Sequence, residues 1–190
     1  MARPASAPRI ATLSPAVVAA EVDKRLLEHL NNLSFVGGFG VTVRVDVRGP
    51  SDLAVTAQAL CEYAQGGLPV WDWETDEEAA DACQSLVSRF WSPPAEAGSG
   101  TFGLGPLGDG YEEADMGDII ELVLVAAWAR VELSRDEPVT ARQLAALAGL
   151  DPQAVRLMAR EGEVKLHGKP AVAAPSEARR WLKARGVRGL

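Results

Sequence analysis

The residues whose types and spacing are best suited to recognition chemistry lie near the C-terminal end of the chain. Gln153, Arg156 and Arg160 are spaced so that they fall on one face of a predicted helix. An arginine can donate two parallel hydrogen bonds to N7 and O6 of guanine, and a glutamine can pair in the same way with adenine. Such a helix face is therefore suited to reading the edges of bases.

A second basic set follows this helix at alternate positions. Its members are Lys165, His167 and Lys169. Lysines on a hairpin bind phosphate oxygens and contribute salt-sensitive affinity without reading sequence. His167 is interpreted as a turn residue in preference to a metal ligand or a pH switch.

The charge of the chain is divided unevenly along its length. The whole chain has a formal charge of −7 and a pI near 4.9. Residues 1–137 hold nine Lys/Arg against twenty-two Asp/Glu, whereas residues 138–190 hold ten against four. This asymmetry favours a nucleic-acid partner for the basic part. The acidic part repels such a partner only weakly, because physiological salt screens charges beyond about 8 Å.

Two short helices joined by a tight turn are predicted over residues 140–160. Thr140 and Gln143 form a capping-box pattern, Gly149 ends the first helix, and Asp151 followed by Pro152 begins the second. Ala145 supplies the small residue that a steep helix crossing requires. The residues predicted to face inward are Leu144, Leu150, Val155 and Met158.

This pattern resembles the helix-turn-helix family. Residues 162–172 resemble a β-hairpin wing that turns at His167-Gly168-Lys169, and residues 175–186 resemble a closing helix anchored by Trp181 and Leu182. Residues 138–188 as a whole are similar to the winged modules of the excisionase and MerR type.

The resemblance implies positions for the basic residues. Gln153, Arg156 and Arg160 would face the major groove, and Lys165, His167 and Lys169 would face phosphate or the minor groove. The full set of predicted DNA-binding residues is Thr140, Arg142, Gln153, Arg156, Arg160, Lys165, His167 and Lys169.

The sequence of the N-terminal half predicts a small α+β domain over residues 14–91. We expect this domain to dimerise or to bind a partner or a ligand. Its elements are a helix over about 15–32, a strand over 39–47, a helix ended by Gly66 and Gly67, a partner strand in LPVWDW, and a helix opening at Thr75 with Glu78. Residues 1–13 are expected to be a disordered tail. Trp71 and Trp73 are interpreted as core residues, with a ligand pocket as the alternative.

The two halves are joined by a Gly/Pro-rich linker predicted over residues 92–111. A strongly apolar helix over about 115–133 follows, and we expect more than one neighbour to bury it. The C-terminal domain is predicted to span residues 112–190. The predicted fold class is therefore α+β, with a small N-terminal α+β domain, a linker and a C-terminal winged helix-turn-helix domain.

Several classes of function are disfavoured. No apolar run reaches the roughly 20 residues that cross a bilayer, so we expect a cytoplasmic protein without a membrane partner. Cys61, Cys83, His29 and His167 lie too far apart for a familiar zinc spacing, and reduced buried thiols are expected. No nucleophile, base and orienting group cluster at recognisable spacing. We therefore predict neither catalysis, nor a metal, nor a cofactor.

The sequence thus predicts a sequence-specific DNA-binding protein of bacterial type, a transcriptional regulator that binds double-stranded DNA as a homodimer. A module of this size has a small footprint, so two copies about 34 Å apart would be needed. The alternative is a protein–protein adaptor, or an antitoxin or phage-related component. In that case the helix-turn-helix and the acidic domain over residues 14–91 would both bind proteins.

Overall fold

The computed structural model of the chain describes residues 9–36, 49–70, 73–90 and 118–190. Within these ranges the fold is mostly helical, with a small two-stranded antiparallel sheet. The helices are a 3-10 helix at Ile10–Thr12 and then α1 Pro15–Val36, α2 Asp52–Gly66, α3 Asp76–Phe90, α4 Ile119–Ser134, α5 Ala141–Ala148, α6 Pro152–Arg160 and α7 Pro175–Ala184. The strands are β1 Val139–Thr140 and β2 Val172–Ala173. Because helices dominate, the fold agrees with the α+β expectation only coarsely.

Some predicted elements of the N-terminal half cannot be compared with the structure. The strand over 39–47 and the linker over 92–111 lie outside the described residues. The partner strand predicted in LPVWDW is represented by one isolated bridge between Val70 and Trp73. Trp73 is buried and packs edge-on against Tyr63, with ring centroids 6.4 Å apart. Its interpretation as a core residue is confirmed.

The segment that precedes α1 differs from the predicted disordered tail from residue 9 onward. Ile10 is fully buried in the hydrophobic core. The amide of Gln65, on α2, donates to the carbonyl oxygens of Ile10 and Leu13 at 2.8 and 2.6 Å. One buried isoleucine and two satisfied carbonyls are enough to hold this short segment against α2.

The ends of α2 and α3 follow the sequence signals that predict them. Ser51 accepts a hydrogen bond from the Ala54 N–H at 3.2 Å, and Gly67, with φ of 74°, ends α2. The Glu78 carboxylate accepts from the Thr75 N–H at 2.8 Å and from the Thr75 hydroxyl at 3.1 Å. The predicted end of α2 and the predicted start of α3 are therefore confirmed to within a residue or two.

Helix α4 lies at the centre of the described structure. Residues 120–131 are all buried, because α2, α3 and α5 each cover part of the helix. The expectation of a helix buried by more than one neighbour is confirmed. Helices before and after residues 92–111 share one hydrophobic core, while the division into two domains stays a prediction. In the described ranges no helix is both long and apolar enough to cross a bilayer.

A buried guanidinium on α4 holds the C-terminal end of the chain against α2. Arg130 donates from Nε to the Ala64 carbonyl at 2.8 Å, from Nη1 to Gly189 at 3.0 Å and from Nη2 to Arg188 at 2.7 Å. Gly189 lies so close to the Gly66 carbonyl that a side chain there would clash. Burial lowers the pKa of Arg130 to about 10, so the group is charged at neutral pH. The Ala64 carbonyl, at the negative end of the α2 dipole, helps to stabilise that charge.

Replacing Arg130 by methionine should destabilise the protein by about 2–4 kcal/mol, because the buried Ala64 carbonyl and two partly buried carbonyls lose a charged donor. Urea unfolding followed by circular dichroism measures the loss. Arg188→Met is the matched control, since the Arg188 side chain is exposed and the carbonyl that accepts from Arg130 belongs to its backbone. Equal stability of the two variants would contradict the role given to Arg130.

Both cysteines are free and buried, as the sequence predicts. Burial raises the pKa of the Cys61 thiol to about 12 and also raises the pKa of Cys83. We expect both thiols to react with a thiol reagent at pH 8 at least about a hundredfold more slowly in the folded protein than in urea. Absorbance after addition of an aromatic disulfide reagent measures this, and rapid labelling of the folded protein would contradict it.

Candidate nucleic-acid interface

Helices α5 and α6 are fixed relative to each other by a three-residue turn. Gly149 adopts a left-handed conformation with φ of 65° and ends α5, and the Asp151 side chain caps α6. The Leu150 N–H donates to the Ala145 carbonyl at 2.9 Å. Ala145 and Val155 are fully buried, so the two helices approach closely at their crossing. The predicted pair of helices and its turn are confirmed.

The outer face of α6 is polar and basic. Gln153, Leu157 and Arg160 are exposed, and Arg156 is half-buried beside them. No carboxylate of the described residues lies within ion-pair distance of Arg156 or Arg160. Because Val155 anchors the opposite side of α6 in the core, this face is directed away from the protein. The three residues predicted for α6 therefore share one accessible surface.

The two arms of the hairpin after α6 pair over fewer residues than predicted. His167 and Val172 exchange two backbone hydrogen bonds of 2.8 and 2.9 Å around the turn. The longer pairing of the returning segment is with β1, where Val139 lies opposite Ala173 and Thr140 opposite Val172. Before the turn, the Lys165 N–H donates to the Glu177 carboxylate at 3.2 Å and is not used for strand pairing.

The basic side chains of this hairpin are all accessible to solvent. They are Lys165, His167 and Lys169. Val164, which precedes them, is buried and anchors the segment. Within the part of the chain that the structure describes, no group of three His, Cys, Asp or Glu side chains converges as a possible metal site. Since β2 pairs with β1 directly before α5, the hairpin is fixed relative to the α5–α6 pair.

Helix α7 closes this part of the fold as predicted. Trp181 and Leu182 are buried, which confirms their anchoring role. The Arg185 guanidinium lies 3.9 Å from the centre of the Trp181 ring and donates to the Glu163 carboxylate at 2.7 Å. The same guanidinium contacts the Met158 sulfur at 3.2 Å. Arg185 therefore connects α7 to α6 and to the start of the hairpin.

Two predicted site residues are used inside the protein. The Thr140 hydroxyl accepts from the Gln143 N–H at 3.2 Å, and the Thr140 N–H donates to Gln143 Oε1 at 2.6 Å. Arg142 is only 7% exposed and its guanidinium pairs with the buried Glu121 carboxylate on α4. The structure does not bring Arg142 to the outer face of α6, because Arg142 lies on the side of α5 that packs on α4.

A second polar link joins α4 to the start of α5. Glu132 accepts from Trp128 Nε1 at 2.9 Å and from Gln143 Nε2 at 2.5 Å. One feature of the sequence indicates that α4 has polar contacts with its neighbours. Glu121 and Glu132 lie in a helix that is otherwise mostly apolar. A carboxylate in such a helix needs a donor from a neighbouring element. Sequence reasoning alone could not identify that donor.

Replacing Glu121 by leucine should destabilise the protein by about 3–5 kcal/mol, because the buried Arg142 guanidinium loses its carboxylate partner. The double variant Glu121→Leu/Arg142→Met should recover at least half of that loss, since it removes the buried charge as well. Urea unfolding of the wild type, both single variants and the double variant measures the coupling. Additive losses would contradict a direct interaction between the two side chains.

Comparison with protein-family models, curated protein sequences and solved structures finds no match to this chain. The resemblance of residues 138–188 to winged helix-turn-helix modules therefore stays a prediction. The function has to be inferred from the geometry and charge of the described residues.

Proposed function

We propose that the protein binds double-stranded DNA sequence-specifically and regulates transcription as a dimer. In this proposal residues 138–188 form a winged helix-turn-helix module whose helix α6 enters the major groove. The observation that carries it is the outward α6 face of Gln153, Arg156 and Arg160. Neither arginine has an ion-pair partner among the described residues.

The distribution of ion pairs supports this choice of surface. Four other arginines of the C-terminal part are paired within the protein: Arg142 with Glu121, Arg179 with Asp136, Arg180 with Glu177 and Arg185 with Glu163. The two α6 arginines, like the exposed Arg188, have no carboxylate partner among the described residues and are available to an external anion. An arginine that pairs bidentately with guanine contributes about 1–3 kcal/mol of discrimination against other bases.

The hairpin supplies the second half of the proposed interface. Lys165, His167 and Lys169 are exposed on a segment that is fixed beside α5 by the pairing of β1 with β2. Lysines on a hairpin suit phosphate contacts, which position a protein on the duplex without reading its sequence. Thr140 and Arg142 are left out of this interface, since their side chains act within the protein.

The adaptor alternative has weaker support. It would use the acidic N-terminal part, where Glu74, Glu77 and Asp81 are exposed around the start of α3. Glu77 already pairs with Arg135 at 2.5 Å, and Glu78 accepts hydrogen bonds at the start of α3. Acids at a helix N-terminus are also stabilised by the helix dipole. Folding therefore accounts for much of this acidic cluster without a partner.

The test uses the full-length protein, because α2 and α3 cover α4 and a C-terminal fragment would expose that face. Duplexes bound by the protein are first selected from a random library at about 50 mM salt. We expect one enriched motif and an affinity that falls steeply with salt. Arg156→Ala and Arg160→Ala should each weaken binding to that motif about tenfold or more.

Lys24→Ala is the control of matched charge change, because Lys24 is exposed on α1 and, among the described residues, its ion-pair partner is Glu21. It should leave the affinity nearly unchanged. The proposal fails if no duplex binds at about 50 mM salt, or if binding does not depend on salt. A stable complex with a protein partner that Arg156→Ala leaves intact, with no DNA binding, would instead support the adaptor alternative.

A further inference from the structure

A leucine occupies the middle of the basic face of α6. Leu157 is 54% exposed, and Val17 on α1, at 49%, is the other exposed large hydrophobic residue among those that the structure describes. Gln153, Arg156, Leu157 and Arg160 follow the spacing of a single helical stripe. Leu157 therefore lies between the side chains that are proposed to read bases.

The exposure of Leu157 follows from how α6 is packed. Val155 is fully buried in the core, and Met158 packs against that core from one turn further along. Rotating α6 to bury Leu157 would bring these residues into solvent. An exposed leucine is common on protein surfaces and needs no explanation by itself. Its position among unpaired arginines on a face directed away from the protein is what calls for a partner.

The surroundings of Leu157 fit DNA better than a protein surface. The neighbouring Gln153, Arg156 and Arg160 are polar or charged, so the apolar area is limited to about one side chain. A protein interface usually offers a larger apolar centre. The major groove presents one apolar group, which is the C5-methyl group of thymine, alongside polar base edges and phosphates. One apolar side chain flanked by cations complements that arrangement.

We propose that Leu157 contacts the C5-methyl group of a thymine in the major groove and so determines specificity at one base pair. This inference rests on the proposed DNA-binding function. Loss of a contact with a single methyl group should change affinity about three- to fivefold. That effect is smaller than the loss from an arginine, and it is confined to one position of the bound sequence.

The experiment uses the motif selected by the full-length wild-type protein. Each thymine in that motif is replaced in turn by uracil, which lacks only the methyl group. We expect one replacement to weaken binding of the wild type about three- to fivefold. The same replacement should have no effect on Leu157→Ala, because the contact is already absent. Leu157→Met, which keeps an apolar side chain, should retain most of the effect.

Val17→Ala is the matched control, since it truncates the other exposed aliphatic residue at a distance in the sequence from α6. It should respond to uracil as the wild type does. Thermal unfolding of all three variants checks that Leu157→Ala and Leu157→Met fold, as expected for an exposed position.

The outcomes separate this inference from the function on which it rests. If the wild type binds a motif and every uracil effect is the same in Leu157→Ala, the thymine contact is wrong and DNA binding stands. If no DNA binds, both proposals fall. If DNA binding is unaffected by Leu157→Ala but a protein complex is lost, Leu157 belongs to a protein interface and the inference is overturned.

Discussion

The burial of α4 among α2, α3 and α5 is the interaction on which the rest of the described structure depends. Because apolar side chains cover nearly the whole circumference of residues 120–131, the helix is stable only when neighbours bury it on several sides. That requirement brings helices from both ends of the chain into one core. It also fixes α5, and through the short turn at Gly149 it fixes α6.

The polar side chains that α4 carries have partners. Glu121 pairs with Arg142, Glu132 accepts from Trp128 and Gln143, and Arg130 donates to three carbonyl groups. These contacts join α4 to α5, to α2 and to the segment that follows α7, or hold a side chain within α4. Since an uncompensated buried charge costs several kcal/mol, these contacts restrict how the helices can be arranged. They link the orientation of α5 and α6 to the packing of the N-terminal helices.

The arginines of the C-terminal part fall into those that pair with a carboxylate of the protein and those that do not. Arg142, Arg179, Arg180 and Arg185 are paired with carboxylates, whereas Arg156 and Arg160 have no such partner among the described residues. The excess of Lys/Arg over Asp/Glu in residues 138–190 therefore overstates the positive charge that an external ligand would meet, because Glu121 and Asp136 lie outside this range and pair with Arg142 and Arg179. The charge left on α6 and the hairpin is the part relevant to the proposed contact with DNA.

Local signals allowed much of the helical structure to be predicted from the sequence. The Thr140–Gln143 capping box, the left-handed glycine Gly149 and the Asp151–Pro152 start act over a few residues, so they favour α5, the turn and α6 without reference to distant residues. The stripe of Gln153, Arg156 and Arg160 is likewise a property of helical spacing.

Features that depend on distant residues were decided only by the tertiary structure. The sequence predicted Arg142 on the DNA-binding face, but Glu121, twenty-one positions earlier, holds it in the core. It predicted a longer hairpin, but the returning strand pairs with β1, which lies before α5. It predicted disorder through residue 13, but Gln65 and the core hold the segment from residue 9 onward. Local periodicity and capping thus determined the helices, while long-range pairing of charges and strands decided which side chains remain at the surface.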